Sequence, residues 1–329
     1  MRTYLQVLAL ALIPSLLFRM YSTLNQSLGY PRLVTWLQAG ALFVKVPLSA
    51  SLTFGLAGWP ALGVAGCAWA TLVVNSLMLL TGIWLLRTQS IYQPYRLWLR
   101  PEAPDGPMLW RFLRLGLPAG LSIMVEITSF TLMALFIARL GAVSLASHQI
   151  AANMAGVLYM IPLALGIASS ARTGYWLGAG QAQRAREAAS TGLRLAAGMA
   201  LLCASGLWFA REPLARLFTA DPAVALAAAV WLGWVAAYHL TDAIQTVCVF
   251  LLRCYRITLA PLLIYTVMLW GAGLCGGYLL AYRGLGPWAA QPAVGSFWLT
   301  SFVALAVVAL LFTGLLWRAM RAPGYKPSH

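Results

Sequence analysis

Two carboxylic acids lie deep inside apolar sequence, and their surroundings suggest chemistry with a cation or a proton. The run LGLPAGLSIMVEITSFTLMALFIARL, residues 115–140, is long enough to cross a bilayer and carries Glu126 in its middle. Counted from the charged boundary at Arg114, Glu126 is twelve residues in. At ~1.5 Å per residue this is about 18 Å deep in a hydrocarbon core about 30 Å thick. The second acid, Asp242, is eleven residues from Arg253 in WLGWVAAYHLTDAIQTVCVFLLR, a depth of about 16 Å. An ionisable side chain at such depth is costly unless it faces a partner or a polar cavity, so both acids are functional candidates. The competing readings are a protonated structural glutamic acid and a polar seam between helices.

Tyr238, Asp242 and Gln245 follow at i, i+4 and i+7, placing a phenol, a carboxylate and an amide on one helical stripe. Oxygen groups of this kind suit a hard cation such as sodium, while a desolvated carboxyl can exchange protons. The spacing does not choose between Na+ and H+. Gln149 and Asn153 stand at i and i+4 in HQIAANMAGVLYMIP with Met154 and Met160 nearby. They could line an adaptable cavity for organic cations or serve as polar glue between helices. His239 points about 100° away from Tyr238 and is expected to bond between helices. Lys45 is central in its apolar run, two residues before Pro47, where snorkelling, a carbonyl contact or pairing with one of the acids could hold it.

The wider composition excludes other classes. The chain has 329 residues, 61% hydrophobic and 9% charged, with a mean hydropathy of +0.80, more apolar surface than a soluble core of this size could hide. Five cysteines (Cys67, Cys203, Cys248, Cys254 and Cys275) occur singly, and His148, His239 and His329 are scattered. Neither a disulfide framework nor a metal cluster is expected, and no nucleophile–base arrangement or phosphate loop supports an enzyme. The net charge of +15 fits membrane topology better than nucleic-acid binding.

Nine apolar segments of spanning length recur, near residues 5–18, 33–54, 62–86, 115–138, 150–171, 195–210, 224–252, 261–282 and 297–317. The expected fold is an all-α polytopic membrane protein. The first segment follows Arg2, but MYSTLNQS offers no small-residue cleavage site, so it reads as a membrane helix rather than a signal peptide. Tryptophans near segment ends, Trp59, Trp110, Trp208 and Trp288 among them, suit interfacial anchoring. Sixteen Arg/Lys residues fall on one face of this topology and five on the other, which places the carboxyl terminus in the cytoplasm and the amino terminus outside.

The proline-rich, charged connection around QPYRLWLRPEAPDGP divides the chain. It suggests a partial amino-terminal lobe of three helices over 1–90, a cytoplasmic linker over 91–108, and a six-helix carboxyl-terminal lobe with a short tail over 109–329. An internal repeat agrees with this: Gly66-x-x-Trp69-x-Thr71 recurs as Gly295-x-x-Trp298-x-Thr300, and Pro31 recurs as Pro261. Helices one to three then match helices seven to nine, in a repeat of six helices.

The runs LGLPAGLSIMVEITSF, ARLGAVSLASHQIAANMAGVLYMIPLALGIASSARTGYWLGAG, LFTADPAV, AAYHLTDAIQ and FGLAGWPALGVAGCAWAT resemble multidrug and toxic compound extrusion (MATE) transporters of the NorM-like type. The resemblance covers essentially the whole chain. It implies a twelve-helix antiporter of two six-helix lobes, of which this chain would hold helices four to twelve. By position, Glu126 resembles the family's seventh-helix carboxylate, Asp242 its tenth-helix acid and Tyr238 the hydroxyl one turn before that acid. A coupling aspartate of the family's first helix has no counterpart here, and Arg253-Cys254-Tyr255-Arg256-Ile257 departs from the usual pattern.

The expected function is therefore an H+- or Na+-coupled antiporter of organic cations or drugs, in a truncated form. Cations would bind at Glu126, Asp242 and Tyr238, and Gln149, Asn153 and Gln245 would line the substrate cavity. The expected protein is multi-pass in the cytoplasmic membrane, needs no cofactor, contacts no nucleic acid and is a monomer when full length. A lipid-linked oligosaccharide flippase of the same superfamily is the alternative, but Lys45 is the only intramembrane cation available to hold pyrophosphate; an inert fragment is a third.

Overall fold

The computed structural model describes residues 2–56, 60–95, 105–284 and 289–321, and among them every regular element is helical. Trp59, Trp288, much of the 91–108 linker and the tail with Lys326 lie outside the described residues. Nine helices among the described residues are long and apolar enough to span a membrane. They are α1 (Arg2–Ser27), α2 (Pro31–Phe54), α3 (Val64–Thr88), α4 (Gly106–Ile137), α5 (Ala142–Gly178), α6 (Ala182–Phe218), α7 (Pro222–Cys254), α8 (Leu259–Tyr282) and α9 (Val294–Arg321). The protein is thus an all-α polytopic membrane protein.

Several helices run past the apolar segments that announce them. Apolar residues at 195–210 mark only the middle of α6, which begins at Ala182 and ends at Phe218. Hydropathy marks the bilayer-depth portion, whereas the helix continues wherever a face can still pack. In α6 that face is a buried stripe of Ala185, Ala189, Gly192, Ala196 and Ala200, at helical spacing through both the polar and the apolar turns. Likewise α5 extends from Ala142 to Gly178, well beyond the expected 150–171. Ends are set by familiar local chemistry. Pro31 and Pro222 open α2 and α7 at positions where a missing N–H costs nothing. Asp221 caps α7 by accepting from the backbone N–H groups of Ala223 (2.9 Å) and Val224 (3.4 Å).

The chain forms two compact units, Met1–Pro104 and Asp105–His329. In the first, α3 packs against α1 and α2. The Tyr92 hydroxyl donates to Asn25 Oδ1 at 2.6 Å and lies 3.2 Å from the Tyr21 hydroxyl, fastening the short 3-10 turn Ser90–Tyr95 to α1. Gly66 of α3 touches the backbone of α2 so closely that an added Cβ would stand 2.5 Å from the Leu52 carbonyl carbon and oxygen. Gly66→Ala should therefore push α3 off α2, costing about 1–3 kcal/mol. The thermal unfolding midpoint of the detergent-solubilised protein should fall clearly, whereas Gly40→Ala, inside α2 and meeting nothing within 4 Å, should hold it or raise it slightly. Equal midpoints for the two variants would count against this packing.

In the second unit α7 is the central helix, packed against α5, α6 and α9 and half buried along its span. Helix α8 is not uniform: from Thr266 to Cys275 it widens into π-helical turns. Wide turns leave backbone groups to be satisfied by neighbours. The Gly273 carbonyl accepts from the Thr300 hydroxyl of α9 at 2.9 Å, and the Leu269 carbonyl accepts from Ser129 of α4 at 3.5 Å. In return, Trp270 of this segment donates its indole N–H to the Val125 carbonyl at 3.2 Å. The widened segment is thereby tied to α4 on both sides of Glu126.

Candidate functional site

Glu126 and Asp242 come together through one side chain. The Gln245 amide nitrogen donates to Asp242 Oδ1 at 3.0 Å and to Glu126 Oε1 at 3.3 Å, with the Thr246 hydroxyl at 3.1 Å. An amide NH2 has two hydrogens, so it can satisfy both carboxyls at once only by facing between them. The amide oxygen accepts from the Tyr265 hydroxyl of α8. Gln245 is fully buried, Asp242 is nearly so, and Glu126 is partly buried. Two acids from α4 and α7, 116 positions apart in the sequence, thus share a single donor inside the helix bundle.

The i, i+3 spacing on α7 explains half of this geometry, since it lays Gln245 beside Asp242 on one face. The other half is tertiary: α4 is held at Glu126 by the Trp270 and Ser129 bonds to α8. Tyr238, one turn before Asp242, is buried against aromatic rings, edge-on to Phe130 (centroids 5.8 Å apart) and to Trp298 (6.0 Å). Tyr159 of α5 lies beside Thr246, in electrostatic reach of both acids. Arg253 interacts electrostatically with Glu126, Tyr159 and Tyr265, and its guanidinium lies over the Phe250 ring at 4.8 Å. The cluster therefore combines two acids, an amide, three phenols, a hydroxyl and one cation, a set able to hold a proton or coordinate a small cation through oxygen.

Other residues singled out in the sequence are not part of this cluster. Gln149 and Asn153 lie exposed on α5. Lys45 is exposed on α2, within the first unit. His239 is buried, and the expectation that it bonds between helices does not hold for its Nε2, which has no hydrogen-bond partner. Tyr265, Tyr159, Thr246 and Arg253 are the members that residue spacing on α7 did not single out, and Trp270 holds α4 beside them. A signal existed for Tyr265 and Trp270: a phenol or indole deep in an apolar run must find a partner for its polar atom. Among the described residues no group of three or more His, Cys, Asp or Glu could hold a metal ion.

Residues 118–279, from α4 into α8, match the MatE family model. The chain is 39% identical over 322 residues to a probable multidrug resistance protein NorM of Aromatoleum aromaticum, covering 98% of this chain and 69% of that protein. The chain belongs to the MatE family. It is also 34% identical over 289 residues to the multidrug resistance protein PmpM of Pseudomonas aeruginosa, covering 88% of this chain and 60% of that one. Solved MATE structures share the fold. An outward-facing multidrug resistance MATE family transporter of the MOP superfamily superposes with a TM-score of 0.83 at 15% identity, covering 97% of this chain and 70% of that one. The Vibrio cholerae MATE transporter VcmN in its bent form gives 0.78 at 17% identity, over 97% of this chain and 69% of that one. MATE proteins are membrane transporters rather than enzymes. The chain spans about two thirds of the length of these relatives.

Proposed function

We propose that this MATE protein takes part in cation-coupled export of organic cations or drugs, with Glu126, Asp242 and Tyr238 as the coupling site. The observation that carries the reading is the Gln245 amide shared by both acids at 3.0 and 3.3 Å. Two acids facing one donor form a site whose occupancy by H+ or Na+ changes how strongly they repel each other and hold α4 against α7. An ion that favours one arrangement and a drug that favours the other then compete through a shared conformational equilibrium. The names of the NorM and PmpM relatives, both multidrug resistance proteins, support drugs as the exported class.

Gln149 and Asn153, exposed on α5, are read as polar contacts for the substrate. Helices α1–α3 are read as part of an amino-terminal lobe and α4–α9 as the carboxyl-terminal lobe, a division supported by the two compact units. The sixteen-to-five distribution of basic residues supports a cytoplasmic carboxyl terminus in a bacterial inner membrane. No cofactor is required, and the full-length protein is read as a monomer.

The test is transport by the full chain in inside-out vesicles. A fluorescent organic cation should enter the lumen only when a proton or sodium gradient is imposed, and the ion that drives it names the coupling cation. Uptake indifferent to both gradients would remove cation coupling from the account.

A further inference from the structure

Three polar atoms outside the acid cluster are buried together without a protein partner. His148 of α5 is 0% exposed, and neither Nδ1 nor Nε2 has a hydrogen-bond partner; Trp298 of α9 is also 0% exposed, with its indole N–H unpartnered. The two rings touch, their centroids 5.8 Å apart. A buried donor or acceptor left unsatisfied costs about 1–3 kcal/mol, and such groups in native proteins are almost always paired, with ordered water where protein is lacking. One water can take the indole N–H and one imidazole nitrogen at once, and the other nitrogen, on the far side of the ring, calls for a second.

The position of the pair gives it a role. Trp298 also meets the Tyr238 ring edge-on at 6.0 Å, and Tyr238 stands one helical turn before Asp242. His148 lies in the second turn of α5 and Trp298 in the second turn of α9, near the end of the unit where α4 turns into α5. Tyr238 in turn faces Asp242 of its own helix, Glu126 of α4 and Tyr159 of α5; Ser147, beside His148, is turned to the Trp231 indole, which donates to it at 3.2 Å. From that end the order is thus His148 and Trp298, Tyr238, then the acids with Gln245.

We propose that His148 and Trp298 together bind ordered water between α5 and α9, and that this wet pocket is the stage through which the coupling cation reaches Asp242 past Tyr238. The water site stands on its own; its role as a route rests on the coupling function proposed above.

Hydroxyl-radical footprinting by X-ray radiolysis of the full chain in lipid nanodiscs tests the site, because radicals form from water held beside a side chain even where bulk solvent cannot reach. His148 and Trp298 should oxidise several-fold faster than Met133, which is intrinsically more reactive yet only 3% exposed. Trp298→Phe should slow oxidation of His148 several-fold. Oxidation of His148 no faster than Met133 overturns the water site, whatever transport shows. With the site present, His148→Leu should slow ion-coupled transport several-fold without weakening drug binding; an unchanged rate overturns the route. Transport indifferent to Glu126→Gln and Asp242→Asn would instead sink the coupling reading and leave the footprint as it was.

Discussion

Asp242→Asn and Glu126→Gln should each lower ion-coupled transport about 10- to 100-fold, the scale of a coupling free energy of ~1–3 kcal/mol. Both substitutions keep the shape of the side chain and an oxygen that can accept from the Gln245 amide, now 3.0 Å from Asp242 and 3.3 Å from Glu126. What they remove is the group that can gain or lose a proton or neutralise a cation. Folding should therefore survive while coupling does not, so drug binding in detergent should persist where gradient-driven uptake fails. Wild-type uptake in both variants would reject the site.

Gln245→Leu should cause the largest loss of stability among single changes near the site. The amide is fully buried and serves both acids, and its oxygen receives the Tyr265 hydroxyl. Leucine of similar volume leaves these groups facing one another without a donor, at about 1–3 kcal/mol for each unsatisfied buried group. The unfolding midpoint of the purified protein should fall markedly more than in Gln245→Glu at acidic pH, where a protonated carboxyl can still donate. If leucine and glutamic acid are equally tolerated there, the amide is not what holds the acids together.

The sequence made α7 readable because its chemistry is local. Tyr238, Asp242 and Gln245 fall on one stripe by helical spacing alone, and the observed Gln245–Asp242 bond follows from it. Glu126 was visible as a lone carboxyl in an apolar run. That it shares a donor with Asp242 was not, because the pairing depends on how α4 docks against α8, through Trp270 to Val125 and Ser129 to Leu269. Those bonds exist because α8 widens over Thr266–Cys275, and no apolar periodicity announces a π-helical turn. The repeat of Gly66, Trp69 and Thr71 by Gly295, Trp298 and Thr300 was legible and falls at the starts of α3 and α9. Its members nevertheless differ in environment: Trp298 is fully buried, while Trp69 is 40% exposed. Apolar length falls short of α5 and α6 because both go on packing beyond the apolar core, α6 on its small-residue stripe and α5 through Ser147, His148, Thr173 and Leu177.

Drug binding should make the acids release their cation, and ion release on binding measures this most directly. The purified full chain is held in weakly buffered detergent solution containing tracer sodium, and tetraphenylphosphonium is added as the organic cation. Binding should expel a proton, seen by a pH indicator, or a sodium ion, seen as lost tracer, and the Glu126→Gln, Asp242→Asn double variant should expel neither. Tetraphenylphosphonium binding with no ion released from the wild type, or with the same release from the double variant, would contradict this.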